Sequence, residues 1–215
     1  MTPYYQDELV TLYHGDCLDI DAWLSADVLV TDPPYGTGRA FTLGLGFNDK
    51  GPRRARSRVA GDSDQQARDN ALALWGDRPA VVFGGWKQPR PANVRHLLVW
   101  DKVHQALPGG ESAWQTSHEE IYILGSGFIP GCRTTVYRVP GLRGSDRPAH
   151  PTPKPVGLLE QLIEACPPGV VADPFAGSGA TLVAARNLGR RAIGVELEER
   201  YCELVANRLA QGVLV

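Results

Sequence analysis

Two short stretches of this chain set acidic side chains where they could do chemistry. The first is Asp32-Pro33-Pro34-Tyr35, directly after the apolar run Val28–Thr31. A carboxylate at Asp32 can accept one N–H of an amine, and the Pro33 carbonyl can accept the other. Two acceptors so arranged favour a tetrahedral nitrogen whose lone pair is aimed at an electrophile. The prolines stiffen the backbone, so the acceptors are held before any substrate arrives. Tyr35 adds a flat face on which a heteroaromatic ring can stack. Alone, the tetrapeptide could be a plain turn, since Asp-Pro is a common turn former.

The second stretch argues against that. Residues 170–185, VVADPFAGSGATLVAA, read as strand, acid, glycine-rich turn and helix. Such a turn lets backbone pack closely against a nucleotide. It departs from a dinucleotide fingerprint at Leu182, which stands where a third glycine is expected, and no lysine follows to make a phosphate loop. Asp173 at the mouth of the turn would repel a pyrophosphate but suits a cationic ligand without phosphate. S-adenosylmethionine, with its ammonium and sulfonium, is such a ligand. Glu196 in Gly194-Val195-Glu196 follows 23 residues after Asp173, a spacing at which an acid can accept hydrogen bonds from ribose hydroxyls. Together the stretches point to methyl transfer onto an exocyclic base amine. That amine is a poor nucleophile because its lone pair is delocalised, and the base must leave the helical stack to be reached.

These residues need a scaffold that gathers strand ends. Seven strand candidates occur: Leu9–Tyr13, Val28–Thr31, Ala80–Phe83, His96–Trp100, Ile121–Leu124, Val170–Ala172 and Ala192–Val195. They alternate with helical patterns, as in an α/β fold with a mostly parallel sheet. The clearest helix starts near Pro155, with Leu158, Leu159, Leu162 and Ile163 on one face, and Pro167-Pro168-Gly169 stops it. Others are expected from Gly179 to Leu188 with Gly189 as C-cap, from Glu198 to Leu209, and from Asp64 to Trp75. Three stretches read as loops: Gly36–Ala60, Val103–Ser117 and Gly125–Ala149.

The chain's 215 residues suit one domain with its own core. No apolar run approaches the ~20 residues of a membrane span, and the first residues lack the basic start and apolar stretch of a secretion signal. Four cysteines without a CxxC pair fit a reducing cytoplasm. The five histidines show no ligand spacing, so no metal is expected. Residues 36–150 carry 16 Lys and Arg against 10 Asp and Glu, while the remainder carries 6 against 14, within a net charge of −2. A basic middle on an acidic chassis is the footprint of a polyanion partner. Arginines outnumber lysines 18 to 4, which favours bidentate contacts to phosphate and guanine. Arg53, Arg54, Arg56 and Arg58 are the first candidates for DNA contact, followed by Arg133, Arg138 and Arg143. Trp86, Trp100 and Trp114 are expected in the core or lining a groove.

The order DPPY, then HPTPKP at residues 150–155, DPFAGSG at 173–179 and GVE at 194–196 resembles the amino DNA methyltransferases that modify adenine N6 or cytosine N4, in the β arrangement, where the catalytic motif precedes the cofactor motifs. The resemblance spans nearly the whole chain. It implies a single methyltransferase domain over residues 1–215, with target-recognition and DNA-contact loops within 36–149. The implied fold is α/β and Rossmann-like, a seven-stranded mostly parallel sheet with its last strand antiparallel. Asp32, Pro33, Pro34 and Tyr35 would be catalytic. The implied cofactor is S-adenosyl-L-methionine. Asp173, Phe175, Ala176, Gly177, Ser178, Gly179 and Thr181 would form its methionine-side loop, Glu196 and Leu197 would sit at the ribose, and Asp16 and Cys17 at the adenine. Asp32 would border the same pocket, and Thr152 and Lys154 would open the helix that closes it, with Pro155 as first helical residue. The resemblance implies double-stranded DNA as partner and a cytoplasmic setting, bacterial or phage-borne, and it admits a homodimer and a cognate restriction endonuclease. Asp before PPY leans to adenine N6, with cytosine N4 as the alternative. A carbon-5 cytosine methyltransferase would need a Pro-Cys pair, which is absent. Protein and RNA amine methyltransferases usually carry the cofactor loop first. A dehydrogenase is disfavoured by Asp173 and Leu182. A silent DNA-binding subunit would be marked by a damaged DPPY or glycine loop, and both are intact.

Overall fold

The computed structural model describes residues 1–35, 41–48, 51–57, 65–103, 116–142, 150 and 152–211, with 41–48 and 51–57 described by backbone pairing alone. In chain order the strands are β1 (Tyr5–Gln6), β2 (Val10–His14), β3 (Val28–Thr31), β4 (Phe41–Asn48), β5 (Gly51–Ser57), β6 (Ala80–Gly84), β7 (His96–Asp101), β8 (His118–Leu124), β9 (Val136–Arg138), β10 (Val171–Asp173) and β11 (Ala192–Glu196). The helices are α1 (Gln66–Trp75), α2 (Val156–Ile163), α3 (Ala180–Asn187) and α4 (Glu199–Ala210), with a 3-10 turn at Ala22–Ser25.

Among the described residues one sheet has the order β1-β2-β11-β10-β3-β6-β8-β7-β9, and β4 pairs only with β5. All seven expected strands form its body. Of these, β8 alone runs against the rest, being antiparallel to both β6 and β7, while β2, β11, β10, β3 and β6 are mutually parallel. The antiparallel strand is thus the fifth of the seven in the chain and not the last, because the cofactor strands follow it. Two short edge strands bring the sheet to nine: β1 antiparallel to β2, and β9 parallel to β7. The stretch read as a loop from Gly36 to Ala60 contains the β4–β5 hairpin. Its glycines hid it, since a glycine-rich strand has little side-chain patterning to reveal it.

Central strands β3 and β6 are buried at every position, as strands covered on both faces must be. On one face Val10, Leu12, Val28, Val30 and Phe83 pack with Leu158, Leu162, Leu182 and Val205 of α2, α3 and α4. On the other Leu29, Val82, Tyr122 and Val195 meet Trp23 and Trp75, from the 3-10 turn and α1, whose indoles stack with centroids 5.9 Å apart. The expected stripe of α2 is buried in full. Pro155 itself is extended at φ −64°, ψ 130°, so it caps the helix and Val156 is the first helical residue.

The connection from β10 through α3 leads to β11 on one side, whereas β3 leads through α1 to β6 on the other. Neighbouring strands β10 and β3 therefore flank the point where the winding reverses, and the crevice at their carboxyl ends is where an open α/β sheet binds ligands. Those ends carry Asp173 and Asp32.

Candidate active site

At the β10 end, Asp173 is buried. Its Oδ1 accepts the Thr31 hydroxyl at 2.7 Å and the Phe175 amide at 3.1 Å. Burial pushes its carboxyl up to about 6, against the pull of these neutral donors. The turn then reaches Gly179 in the left-handed region at φ 75°, where a Cβ would lie 2.8 Å from the Val205 methyls of α4. Leu182 in place of a third glycine is accommodated from the opposite side. Gly194 of β11 faces it, and a Cβ there would come within 2.6 Å of the Leu182 side chain. The close helix–sheet approach is kept, with the glycine on the strand and not on the helix.

Glu196, at the end of β11, is buried and fastens the turn. Its Oε2 accepts the Gly177 amide at 2.7 Å and its Oε1 the Glu198 amide at 2.8 Å. Each oxygen keeps a second lone pair for a ligand hydroxyl. Burial raises this carboxyl too. Asp16 follows β2 and caps its own turn through the Leu18 amide at 2.9 Å. Beside it Cys17 is buried, its thiol pushed up to about 12 by burial and by the Asp16 charge, so it presents a neutral wall.

At the β3 end the acids have cationic partners. Lys154, 5% exposed in its side chain, pairs with Asp32 Oδ2 and lies 3.3 Å from Glu119 Oε2. Lys102 holds the other Glu119 oxygen at 2.5 Å. The Tyr35 hydroxyl donates to Glu119 Oε2 at 3.1 Å. Burial and the nearby carboxylates keep the Tyr35 phenol protonated, well above 10. Burial would lower Lys154, but Asp32 and Glu119 together raise it. Glu119 pays burial but is drawn down by its two lysines. Asp32 is raised by burial and by the Glu119 charge, with Lys154 opposing. Among the described residues the buried Asp32 Oδ1 has no hydrogen-bond donor.

One cavity of about 370 Å³ joins the two ends. Asp16, Cys17, Asp32, Pro33, Pro34, Tyr35, Thr152, Lys154, Asp173, Phe175, Ala176, Ser178, Thr181, Glu196 and Leu197 all line it. Gly177 and Gly179 shape the turn behind the wall. Lys154, expected at the start of the helix that closes the cofactor pocket, stands ahead of α2 and lines the cavity, and its ammonium is paired with Asp32. Glu119 belongs to no motif, and its only signal in the sequence is an acid pair at the head of the strand His118–Leu124. His150 was singled out for no role, yet it lines the cavity, and its ring meets Tyr201 edge-on at 4.7 Å.

Trp100 is core as expected, but Trp86 is 58% exposed. It stands in the turn after β6, beside Gly85, where a Cβ would lie 3.9 Å from the Tyr35 ring. Trp114 lies outside the described residues. Of the arginines, Arg53, Arg54 and Arg56 lie on β5, and Arg58 and Arg143 lie outside the described residues. Arg133 is exposed and folds back on the Ile129 carbonyl at 2.8 Å, and Arg138 lies 3.6 Å from Asp101. Among the described residues no helix is long and apolar enough to cross a membrane.

A doubly wound sheet with an acid-lined nucleotide turn and a DPPY turn at its switch point defines the class of S-adenosylmethionine-dependent methyltransferases. The comparisons narrow this. The DNA methylase family model matches residues 129–207. The methylase YubD of Escherichia coli (strain K12) is 34% identical over 216 residues, which cover 91% of this chain and 88% of that one. The fold is shared with the M1.HpyAVI complex with S-adenosylmethionine, at a TM-score of 0.67 and 20% identity over 94% of this chain and 99% of that one. It is shared also with the cytosine-N4-specific PvuII DNA methyltransferase, at a TM-score of 0.68 and 15% identity over 99% and 90%. The chain belongs to the DNA methylases of the N6-adenine and N4-cytosine family, and its cofactor is S-adenosyl-L-methionine.

Proposed function

We propose that this methylase transfers a methyl group to N6 of an adenine turned out of double-stranded DNA, with Asp32 and the Pro33 carbonyl accepting the two amine hydrogens and Tyr35 stacking on the base. The observation that carries this reading is the Asp32 Oδ1, buried at the cavity without a donor among the described residues. A buried carboxylate oxygen without a partner is costly unless a ligand supplies one. The cavity's other end fits the cofactor. Its acids are satisfied by amides and a hydroxyl, so their negative charge stands uncancelled for a cationic ligand. Asp173, Phe175, Ala176, Ser178 and Thr181 would then border the methionine part, with the backbone of Gly177 and Gly179 behind. Glu196 and Leu197 would meet the ribose, Asp16 and Cys17 the adenine, and Thr152 the rim.

When bound, S-adenosylmethionine supplies an electrophilic methyl carried on a sulfonium. Asp32 and Pro33 draw the amine out of conjugation, so that its lone pair forms the new N–C bond as the C–S bond breaks. The methylated nitrogen then loses one proton, which Asp32, as its hydrogen-bond acceptor, would take up and pass to solvent. Asp before PPY favours adenine. Nucleoside mass spectrometry of DNA treated with enzyme and cofactor should show N6-methyladenine. N4-methylcytosine alone would overturn the base assignment and leave the class standing.

DNA would lie across the carboxyl edge of the sheet. The β4–β5 hairpin follows the catalytic turn directly and carries Arg53, Arg54 and Arg56, with Arg58 just beyond. With Arg133, Arg138 and Arg143 these are the proposed phosphate contacts. Replacing the hairpin arginines with alanine should flatten the slope of log affinity against log salt by about 0.9 per lost contact, with cofactor affinity intact. A wild-type slope would remove the hairpin from the interface.

A further inference from the structure

We infer that Glu119 is a positioning residue for the methylation reaction: from β8 it fixes both working ends of the DPPY turn, Asp32 through Lys154 and Tyr35 through its hydroxyl. The inference rests on the amine-methylation reading above.

A glutamate in a strand largely closed to solvent costs folding energy unless its charge is met. Here it is met twice, by Lys102 on one oxygen and Lys154 on the other. The cluster holds two carboxylates and two ammoniums and is neutral as a whole. Lys154 is the shared member. Its ammonium lies between the Tyr35 and Phe83 rings, 5.5 and 5.1 Å from their centroids, and is divided between Asp32 Oδ2 and Glu119 Oε2. That division keeps the lysine on one Asp32 oxygen and leaves Oδ1 to accept from an amine. Without the Glu119 charge, Lys154 has a single carboxylate to serve and can close over both of its oxygens. The Tyr35 hydroxyl would meanwhile lose its anionic acceptor on β8 and be drawn toward Asp32, which would change the angle of the ring.

Among the described residues the charged and titratable groups around Asp32 are Lys154 ahead of α2, Glu119 on β8, Tyr35 on its own turn and Asp173 on β10. Glu119→Gln in the full chain removes one negative charge from this set with little change of shape. The cluster becomes net positive, Asp32 holds its proton less tightly, and the acid limb of kcat against pH should move to lower pH. Lys102→Met, one residue further out, makes the cluster net negative, and the same limb should move to higher pH. A purely structural role predicts no such opposed pair. Glu119→Gln should also lower kcat about ten- to a hundredfold, the cost of a slightly misplaced reacting group, with the dissociation constant for S-adenosylmethionine within twofold of wild type. Glu119→Asp, which restores the charge, should recover part of the rate.

Limbs that move together or stay put would overturn the inference. So would loss of cofactor binding in Glu119→Gln, which would mark a general structural defect. A wild-type chain that binds cofactor but methylates no DNA would instead sink the reading beneath it.

Discussion

The two ends of the cavity bury carboxylates in opposite ways. At the proposed cofactor end Asp173 and Glu196 are held by amides and a hydroxyl. At the proposed catalytic end Asp32 and Glu119 are held by lysines. Neutral donors fix a carboxylate's position without cancelling its charge, so the first end attracts a cation. Lysines cancel the charge, so the second end is neutral and suits an uncharged base. On the proposed reading, one continuous cavity would sort its two ligands by charge. The difference also sets rigidity. Asp173 and Glu196 are tied to amides of the glycine turn and of the turn after β11 and to the Thr31 hydroxyl on β3, whereas Asp32 and Glu119 depend on long side chains that can exchange partners.

The largest effect should come from Asp32→Ala. If the catalytic end orients the amine, methyl transfer should fall by three orders of magnitude or more, comparable to losing a key oriented group in other enzymes. Cofactor affinity measured by calorimetry should barely change. Near-wild-type turnover would remove Asp32 from the reaction. Lys154→Met comes next and tests to which end this lysine belongs. It strips the cation from between two largely buried carboxylates, so unfolding in urea should show a loss on the order of 3–5 kcal/mol, and the rate should fall with it. If its main role were at the cofactor, affinity for S-adenosylmethionine would drop while stability held.

How much of this was readable beforehand follows the same division. The proposed cofactor end is local in sequence: strand, acid, glycine turn and helix lie within residues 170–185, and Glu196 closes the next strand, so spacing alone groups residues that the fold brings to one cavity. Asp32 and Tyr35 were legible for the same reason. The catalytic network is not local. Lys154 meets Asp32 across 122 residues, and Glu119 comes from a strand whose direction only the assembled sheet reveals. Spacing carries no information on such contacts. The seven strands were found because β-branched runs mark buried strands. The β4–β5 hairpin and the edge strands were missed because their glycines or their two- and three-residue lengths leave no pattern to read. Trp86 was expected in the core or lining a groove, because indoles usually pack against something, but it stands largely exposed in the turn after β6.

Glu196→Ala should sharpen the contrast from the other side. It removes two backbone anchors and the acceptors proposed for the ribose, so cofactor affinity should weaken by about 1–3 kcal/mol, roughly five- to a hundredfold and more. The rate at saturating cofactor should be far less affected than in Asp32→Ala. Unchanged affinity would mean that Glu196 serves the turn alone.

The smallest effect concerns protons. Asp173 sits near 6 because burial disfavours its charge, and Glu196 is shifted in the same direction. A cationic ligand needs both ionised. Its sulfonium charge is fixed, and its amine, of the α-amino type, stays protonated below about 7.7. Affinity should therefore be level from about pH 7.5 down to 6, then fall by up to tenfold per pH unit as Asp173 takes up its proton. Folding without ligand should run the other way. A carboxyl raised above its ordinary 3.8 binds more protons folded than unfolded, so its contribution to stability is greatest below 3.8, declines as pH rises to about 6, and is level beyond. Asp173→Asn, which cannot ionise, should then melt at a higher temperature than wild type at pH 7.5, while binding the cofactor weakly and without the acid limb. A variant that melts lower at that pH, or a wild-type affinity flat down to pH 5, would show that the amide and hydroxyl donors outweigh burial. The cofactor end would then be no more strained than the ion-paired end across the cavity.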